Sequence, residues 1–478
     1  MATTQQPQTE FVRAISRLDA TALVVGSMIG SGIYIVSADI LRQVHAPGLM
    51  LFVWVISGIV TLMGALTYGE LSAMFPSAGG QYVYLREGIS PLFGYLYGWT
   101  LFTVIQTGTI AAVAVALARF TAVFVPALSP DVFLGTTINL GSGPLQVGLS
   151  PQRIFAIASV ILLTWINVRG VKTAAIIQTT LTTVKVATLA GLILLGVLVG
   201  RNAEAIAANF GANFLPAGSL TLAIWPVIGA AMVGSLFSMD AWNNVGFAGS
   251  ELKDPKRDLP IAMAAGTLTV TVLYCLANVA YLLTLPHDAI ANAPQDRVGT
   301  AALQAMFGTP GLYIMAAAIM ISTFGCNNGL ILSGARVYYA MARDNLFFKS
   351  TGTLHPRYKT PAVALVVQAI WTSVLCLSGT YGELLNYVIF AALLFYMITA
   401  IGLFLLRAKR PTAERPVRAP WYPFLPALYV VATGALCVNL LFQQTRYAGL
   451  GLIIVALGVP VYFIWRAMVG ATPVNQGK

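Results

Sequence analysis

Twelve stretches of this chain are long and apolar enough to cross a lipid bilayer, and that feature limits most severely what the chain can fold into. They run near 20–41, 48–74, 91–127, 151–168, 174–200, 221–249, 259–285, 311–340, 361–380, 383–407, 420–443 and 447–468. A crossing needs about 20 apolar residues, because the hydrocarbon core is roughly 30 Å thick and a helix rises about 1.5 Å per residue. Between them little charge is left. Only 9% of the residues are charged, against about a quarter in ordinary soluble domains, so a water-soluble surface cannot be built. Disorder fails on the same grounds, since it needs low hydrophobicity and high charge. Main chain in lipid must satisfy its own hydrogen bonds, so the spans are helices, and the alternating pattern of a membrane β-barrel is absent. The expected class is an all-α integral membrane protein with 12 transmembrane helices.

The formal net charge of +11 invites a nucleic-acid reading, which the placement of the charges removes. If the N-terminus is put inside, nearly all lysines and arginines fall on the inner face. The exceptions are Arg42, Arg119, Arg153, Arg201, Arg297 and Arg446 at outer positions and Lys185 inside the fifth segment. This is the positive-inside rule, and it predicts two cytoplasmic termini with no nucleic-acid partner. The N-terminus has no signal-peptide cleavage pattern. Cys275, Cys326, Cys376 and Cys437 all lie in apolar stretches, so neither a bridge nor a metal site is expected, and no cofactor is implied. His45, His287 and His355 fall in three separate loops, which argues against a metal site or a proton relay.

Segments 1 and 6 differ from the others. The first reads VVGSMIGSGIYIV, with Gly26, Gly30 and Gly32 near its middle, and the sixth reads SLFSMDAWNNVGFAG, with Asp240, Asn243 and Asn244 at comparable depth. Glycine weakens a helix by about 1 kcal/mol relative to alanine, and a carboxylate at the bilayer centre costs about 2.5–3.5 kcal/mol. Two interrupted helices five segments apart predict inverted repeats, segments 1–5 and 6–10, with a site near the midplane where the breaks meet. Free N–H groups at a half-helix start face an anion, and free carbonyls at a half-helix end face a cation. A zwitterion satisfies both.

Four stretches, GSMIGSGIY (26–34), YGELSAMFPSAGGQYVYLREG (68–88), LFSMDAWNNVGFAGSELKDPKRDLPIA (236–262) and SGARVYYAMARD (333–344), resemble the amino acid–polyamine–organocation superfamily, and most closely its L-type amino acid transporter family. The resemblance covers residues from about 15 to 420. It implies the leucine-transporter-type fold: a cytoplasmic tail over 1–19, a first inverted repeat over 20–200, a second over 221–407, added helices over 420–468 and a short tail over 469–478. It also implies that Ile29, Gly30, Ser31 and Gly32 receive a substrate α-carboxylate and part of its ammonium. Phe237 and Ser238 would hold the ammonium through their carbonyls, with Phe237 also closing as an aromatic lid and Tyr274 near the pocket. Lys185 resembles the lysine this family carries where sodium-coupled relatives bind an ion. By that analogy it links segment 1 to segment 8 through Ser322, which implies sodium-independent transport. Animal members carry a cysteine between segments 3 and 4 for a disulfide to an ancillary subunit. The stretch 128–152 has none, so no such partner is expected beside substrate and bilayer.

Blander roles compete at several positions. The glycines could be packing notches, Asp240 could cap the second half-helix of segment 6, and Trp242 and Asn243 are expected to hold the break rather than touch substrate. Tyr274 is more often a packing tyrosine with a satisfied hydroxyl than a ligand. Lys185 lies about 13 residues, roughly 20 Å, past Lys172, too deep for snorkelling. Glu70 and Glu251 sit at inner helix ends, where Arg86, Arg336 or Arg343 are candidate gating partners and a solvated charge is the commoner case. The expectation is therefore no enzyme but an exchanger of small or medium neutral amino acids in a bacterial inner membrane, working by alternating access. Proton coupling, cationic or polyamine substrates served by Asp240, and a non-transporting sensor are the alternatives.

Overall fold

The computed structural model describes residues 11, 13–139, 144–216, 221–378 and 381–469; most of the expected N-terminal tail and residues 470–478 of the C-terminal one lie outside them. Segment 1 is split into α1 (Arg17–Met28) and α2 (Val36–Val44), whose axes differ by 57°. A capping box starts α1: the Ser16 side chain accepts from the Asp19 N–H while Asp19 accepts from Ser16. Then follow α3 (Pro47–Met74), the short α4 (Gln81–Gly88), and α5 (Pro91–Thr100) with α6 (Gln106–Thr121), which a π-turn over Leu101–Ile105 joins into one span. Helices α3, α5 and α7 (Pro151–Val168) each open on a proline, whose missing N–H is no loss at a first turn.

In the stretch 128–152 between segments 3 and 4, two strands, β1 (Leu134–Asn139) and β2 (Pro144–Leu149), pair antiparallel. The chain continues through α8 (Val171–Leu198), a short α9 (Ala203–Phe210) capped by Asn202, and α10 (Ile224–Ser238). After α10 come non-helical residues and a 3-10 stretch, Asn244–Glu251, then α11 (Pro255–Thr284) and the small α12 (His287–Ala291). Next, α13 (Val298–Arg343) is interrupted at Gly308, whose φ of 65° only glycine adopts without strain. Its first ten residues therefore form a separate piece ahead of segment 8, a break the apolar pattern did not signal. The chain ends with α14 (Ala362–Cys376), α15 (Tyr381–Lys409), α16 (Phe424–Gln443) and α17 (Thr445–Val469).

Among the described residues nine helices are long and apolar enough to cross a membrane, or ten with the bent pair counted as one, while α10 and α14 are apolar but shorter. The helices pack so that α1 is enclosed by α8, α11 and α13. Both described ends of the chain lie on one face: Phe11 packs on Tyr339, and Trp465 at the end of α17 donates to the Asn345 carbonyl just past α13. It is called the terminal face below.

Candidate functional site

The break in segment 1 begins where α1 stops. Ile29 turns extended (φ −74°, ψ 95°), and Gly30 and Ser31 lead into a single tight turn over Gly32–Tyr34. A helix end leaves its last carbonyls without partners, and here side chains from three other helices take them. Lys185 Nζ on α8 donates to the carbonyls of Gly26 (2.7 Å) and Ile29 (2.9 Å). On α13 the Cys326 thiol donates to Ser27 O, and Ser322 Oγ lies 3.3 Å from both Ile29 O and Gly30 O. Tyr274 Oη on α11 lies 3.0 Å from Met28 O. By contrast, among the described residues the Gly30 N–H finds no main-chain acceptor.

Segment 6 breaks opposite. The last residue of α10, Ser238, ties its hydroxyl to Gly234 O, while its carbonyl faces the same Tyr274 hydroxyl at 3.2 Å. A single phenol thus sits between the two interrupted helices. They also touch directly, since a Cβ on Gly32 would collide with the Ser238 side chain. After Ser238, the Phe237 carbonyl accepts from the Asp240 N–H at 3.1 Å, and Ala241 adopts a left-handed φ of 69°, a conformation a non-glycine residue holds only where its surroundings enforce it. Asp240 does not cap the helical stretch that follows: Asn243 occupies the cap position and no side chain caps it. Instead the Asp240 carboxylate accepts from the Tyr396 hydroxyl on α15. Trp242 lies against Tyr68 and Tyr396, and Asn243 donates to Gln81 Oε1 at 2.8 Å. Both side chains brace the break.

The site is shut. Ile29, Gly30, Ser31, Gly32, Phe237, Ser238, Asp240, Tyr274, Lys185 and Ser322 are all buried, and the cavity touching Asp240 measures about 10 Å3, the size of one water. Larger cavities approach from both faces. One of about 500 Å3 opens at the terminal face between Arg13, Arg86, Arg343 and Ser250. Another of about 310 Å3 opens opposite, with Ile35, Val36, Val233 and Gly234 in its wall. Charges join the elements around each. On the opposite face Arg42 pairs with Asp296 at 2.7 Å, and Arg119 lies 3.7 Å from the same carboxylate. On the terminal face the buried Arg336 and Glu251 pair at 2.8 Å, and Arg86 pairs with Asp344. Burial, and Asp344 beside it, push the Tyr82 phenol well above its usual value, so it donates to that carboxylate as a neutral group. The segment before α1 straps this face: Ile15 pairs with Leu252, donating to Glu251 O and accepting from Lys253 N–H, and Phe11 lies over Arg336.

Several sequence-based roles change. Glu70 is neither solvated nor paired with Arg86; fully buried, it accepts from Arg407, Arg415 and the Ala419 N–H. Lys185 reaches Ser322 only through the Ile29 carbonyl that both approach, and it nests against Gly325, where a Cβ would stand 3.2 Å from Nζ. Tyr396 and Gly325 escaped sequence reasoning because nothing in their local patterns marks them, while Cys326 stood out only as a residue of an apolar stretch and Asp344 only as the end of SGARVYYAMARD.

A many-helix membrane protein closed around two interrupted helices is the architecture of a carrier, open to neither face in this state. The family profile described as amino acid permease matches residues 15–464, and the chain belongs to that family. It is 30% identical to the serine/threonine exchanger SteT of Bacillus subtilis (strain 168) over 453 residues, 94% of this chain and 96% of that one. It is also 30% identical to the human Asc-type amino acid transporter 1 (95% and 83% covered). Against the human large neutral amino acids transporter small subunit 2 it is 31% identical (95% and 80% covered).

Proposed function

We propose that this chain exchanges small or medium neutral L-amino acids across a bacterial inner membrane by alternating access and without sodium. In this reading it makes 12 crossings, with 20–200 and 221–407 as inverted repeats, 420–468 as added helices and both termini in the cytoplasm. The observation that carries the reading is the opposite polarity of the paired breaks. The Gly30 N–H, which finds no main-chain acceptor among the described residues, would receive a carboxylate together with the N–H groups of Ser31 and Gly32, and with that of Ile29 once it leaves the Val25 carbonyl to which it now donates. The carbonyls of Phe237 and Ser238 would take the ammonium once the breaks part. Phe237 would then close over the substrate, and Tyr274, held between Met28 O and Ser238 O, would release one of them to admit it.

The lysine supports sodium independence. An ammonium bonded to two carbonyls at the end of the first half-helix stands where a monovalent cation would otherwise be needed. Neutral substrates fit because the Asp240 carboxylate is already engaged by Tyr396 and so is not free for a cationic side chain. Proteoliposomes preloaded with unlabelled serine or alanine should take up the labelled amino acid equally in sodium and in choline buffer. Uptake lost in choline would remove the role given to Lys185, and uptake that needs no internal amino acid would replace exchange by net transport.

A further inference from the structure

On the outer surface, far from the breaks, α7 and α14 pack side by side and leave a groove of about 650 Å3 between them. Its walls are Ile157, Ile161, Val366, Ile370 and Val374, most of them turned outward and exposed. An apolar groove on a membrane helix needs no special occupant by itself. Two polar features at one end select one. The first is Thr164, which lines the groove, is 6% exposed, and has a hydroxyl without a hydrogen-bond partner. Helical threonines ordinarily bond back to the carbonyl one turn earlier; this buried oxygen does not, and a turn of the side chain to the other χ1 position that helical threonines populate would present it to something lying in the groove.

The second feature is charge at the groove's mouth. The Arg169 guanidinium lies over the ring of Trp165, itself a groove residue, at 3.9 Å. The turn His355–Thr360 is anchored beside it, because Thr360 Oγ1 donates to Val168 O at 2.8 Å, and that turn carries Arg357 and Lys359. Among the described residues no carboxylate pairs with Arg169, Arg357 or Lys359. Basic residues are common at cytoplasmic helix ends, but here they cap an apolar groove that contains an unsatisfied hydroxyl.

We propose that this groove is a binding site for one anionic phospholipid, phosphatidylglycerol being the probe of choice. The spacing matches the molecule. Arg169, with Arg357 and Lys359, receives the phosphate. Thr164, five residues or roughly 7.5 Å deeper along α7, donates to a glycerol ester carbonyl. The acyl chains run on past Ile161 and Ile157 against Val366, Ile370 and Val374. The inference does not depend on which amino acid is carried.

The test is native mass spectrometry of the full chain released from bilayers of equal phosphatidylglycerol and phosphatidylcholine. Wild type should retain phosphatidylglycerol over phosphatidylcholine by roughly tenfold or more, as expected for several cations near a membrane surface. The combined Arg169→Gln, Arg357→Gln and Lys359→Gln variant, altered only at the edge of the groove, should lose that preference. Thr164→Val should weaken retention of both lipids, and Ala369→Phe, which fills the groove, should abolish it. Equal retention of the two lipids by wild type, or a preference unchanged in the triple variant, would overturn the proposal. So would complete displacement by oleate, which has the charge and the chain but no glycerol ester.

Discussion

At the scale of single residues, the chemistry around Lys185 could be read from the sequence in part. A lysine in the middle of an apolar segment needs partners, because an unpaired ammonium in lipid is costly, and its depth past Lys172 excluded snorkelling. What the sequence could not supply was the partner list, since carbonyls carry no sequence signature. Nor could it reveal the niche: Gly325 faces Lys185 only because α8 and α13 pack together. Tyr396, 156 positions from Asp240, was illegible for the same reason. Replacing Lys185 by alanine takes the ammonium from the Gly26 carbonyl and leaves that of Ile29 with only the Ser322 hydroxyl 3.3 Å away, and each charge-assisted bond of this kind is worth about 1.5–3 kcal/mol. Lys185→Ala should therefore slow exchange by tenfold or more while serine still raises the melting temperature, because the N–H side of the break persists. Gly325→Ala should slow exchange in the same direction with the lysine intact, since the new methyl stands 2.9 Å from Leu181 Cβ and 3.2 Å from Nζ. Wild-type exchange rates in both variants would remove this contact from the mechanism.

At the scale of elements, α11 ties the two breaks together. Tyr274, Asn278 and Tyr281 recur at helical spacing along one face and meet Met28 O, Ser37 Oγ and Ile33 O in turn. Among the described residues nine helices, or ten with the bent pair counted as one, are long and apolar enough to cross a membrane, and they were legible because burial in lipid writes itself directly into composition. The interruption at Gly308 and the β1–β2 pair did not show, because a loop outside the bilayer is under no such constraint. At the terminal face, Arg336 on α13 holds Glu251 at the end of segment 6, and both are buried. A buried pair is dear to break from one side only, about 3–5 kcal/mol, while replacing both partners by apolar groups is often neutral. Glu251→Gln should thus lower the thermal stability markedly, and Glu251→Leu with Arg336→Met should recover most of it. If the double variant also regains full exchange, the pair serves folding alone; recovered stability with altered exchange kinetics assigns it to closing this face.

At the scale of the whole molecule, the closures on the two faces are built differently, and the difference has a measurable consequence. The terminal face is closed by a buried ion pair, the Ile15–Leu252 strap and the Arg86–Asp344 pair. The opposite face relies on Asp296 with Arg42 and Arg119, where the side chains are between 19% and 40% exposed. Pairs so exposed are worth about 0.2–1 kcal/mol and are screened by salt, whereas buried ones are much less so. One kcal/mol amounts to roughly a fivefold change in the population of two competing states. Asp296→Asn should therefore favour opening on the opposite face by up to about fivefold. The four native cysteines are buried or half-buried, so a thiol introduced by Val233→Cys, in the wall of the cavity on that face, should report the opening by its labelling rate. Raising salt from 0.05 to about 0.5 M should quicken labelling when Asp296 is present and have little effect in the Asp296→Asn background, because the screened interaction is already gone. Labelling that ignores both the substitution and the salt would mean that packing, not charge, holds this face shut, and the asymmetry between the two closures would lose its functional meaning.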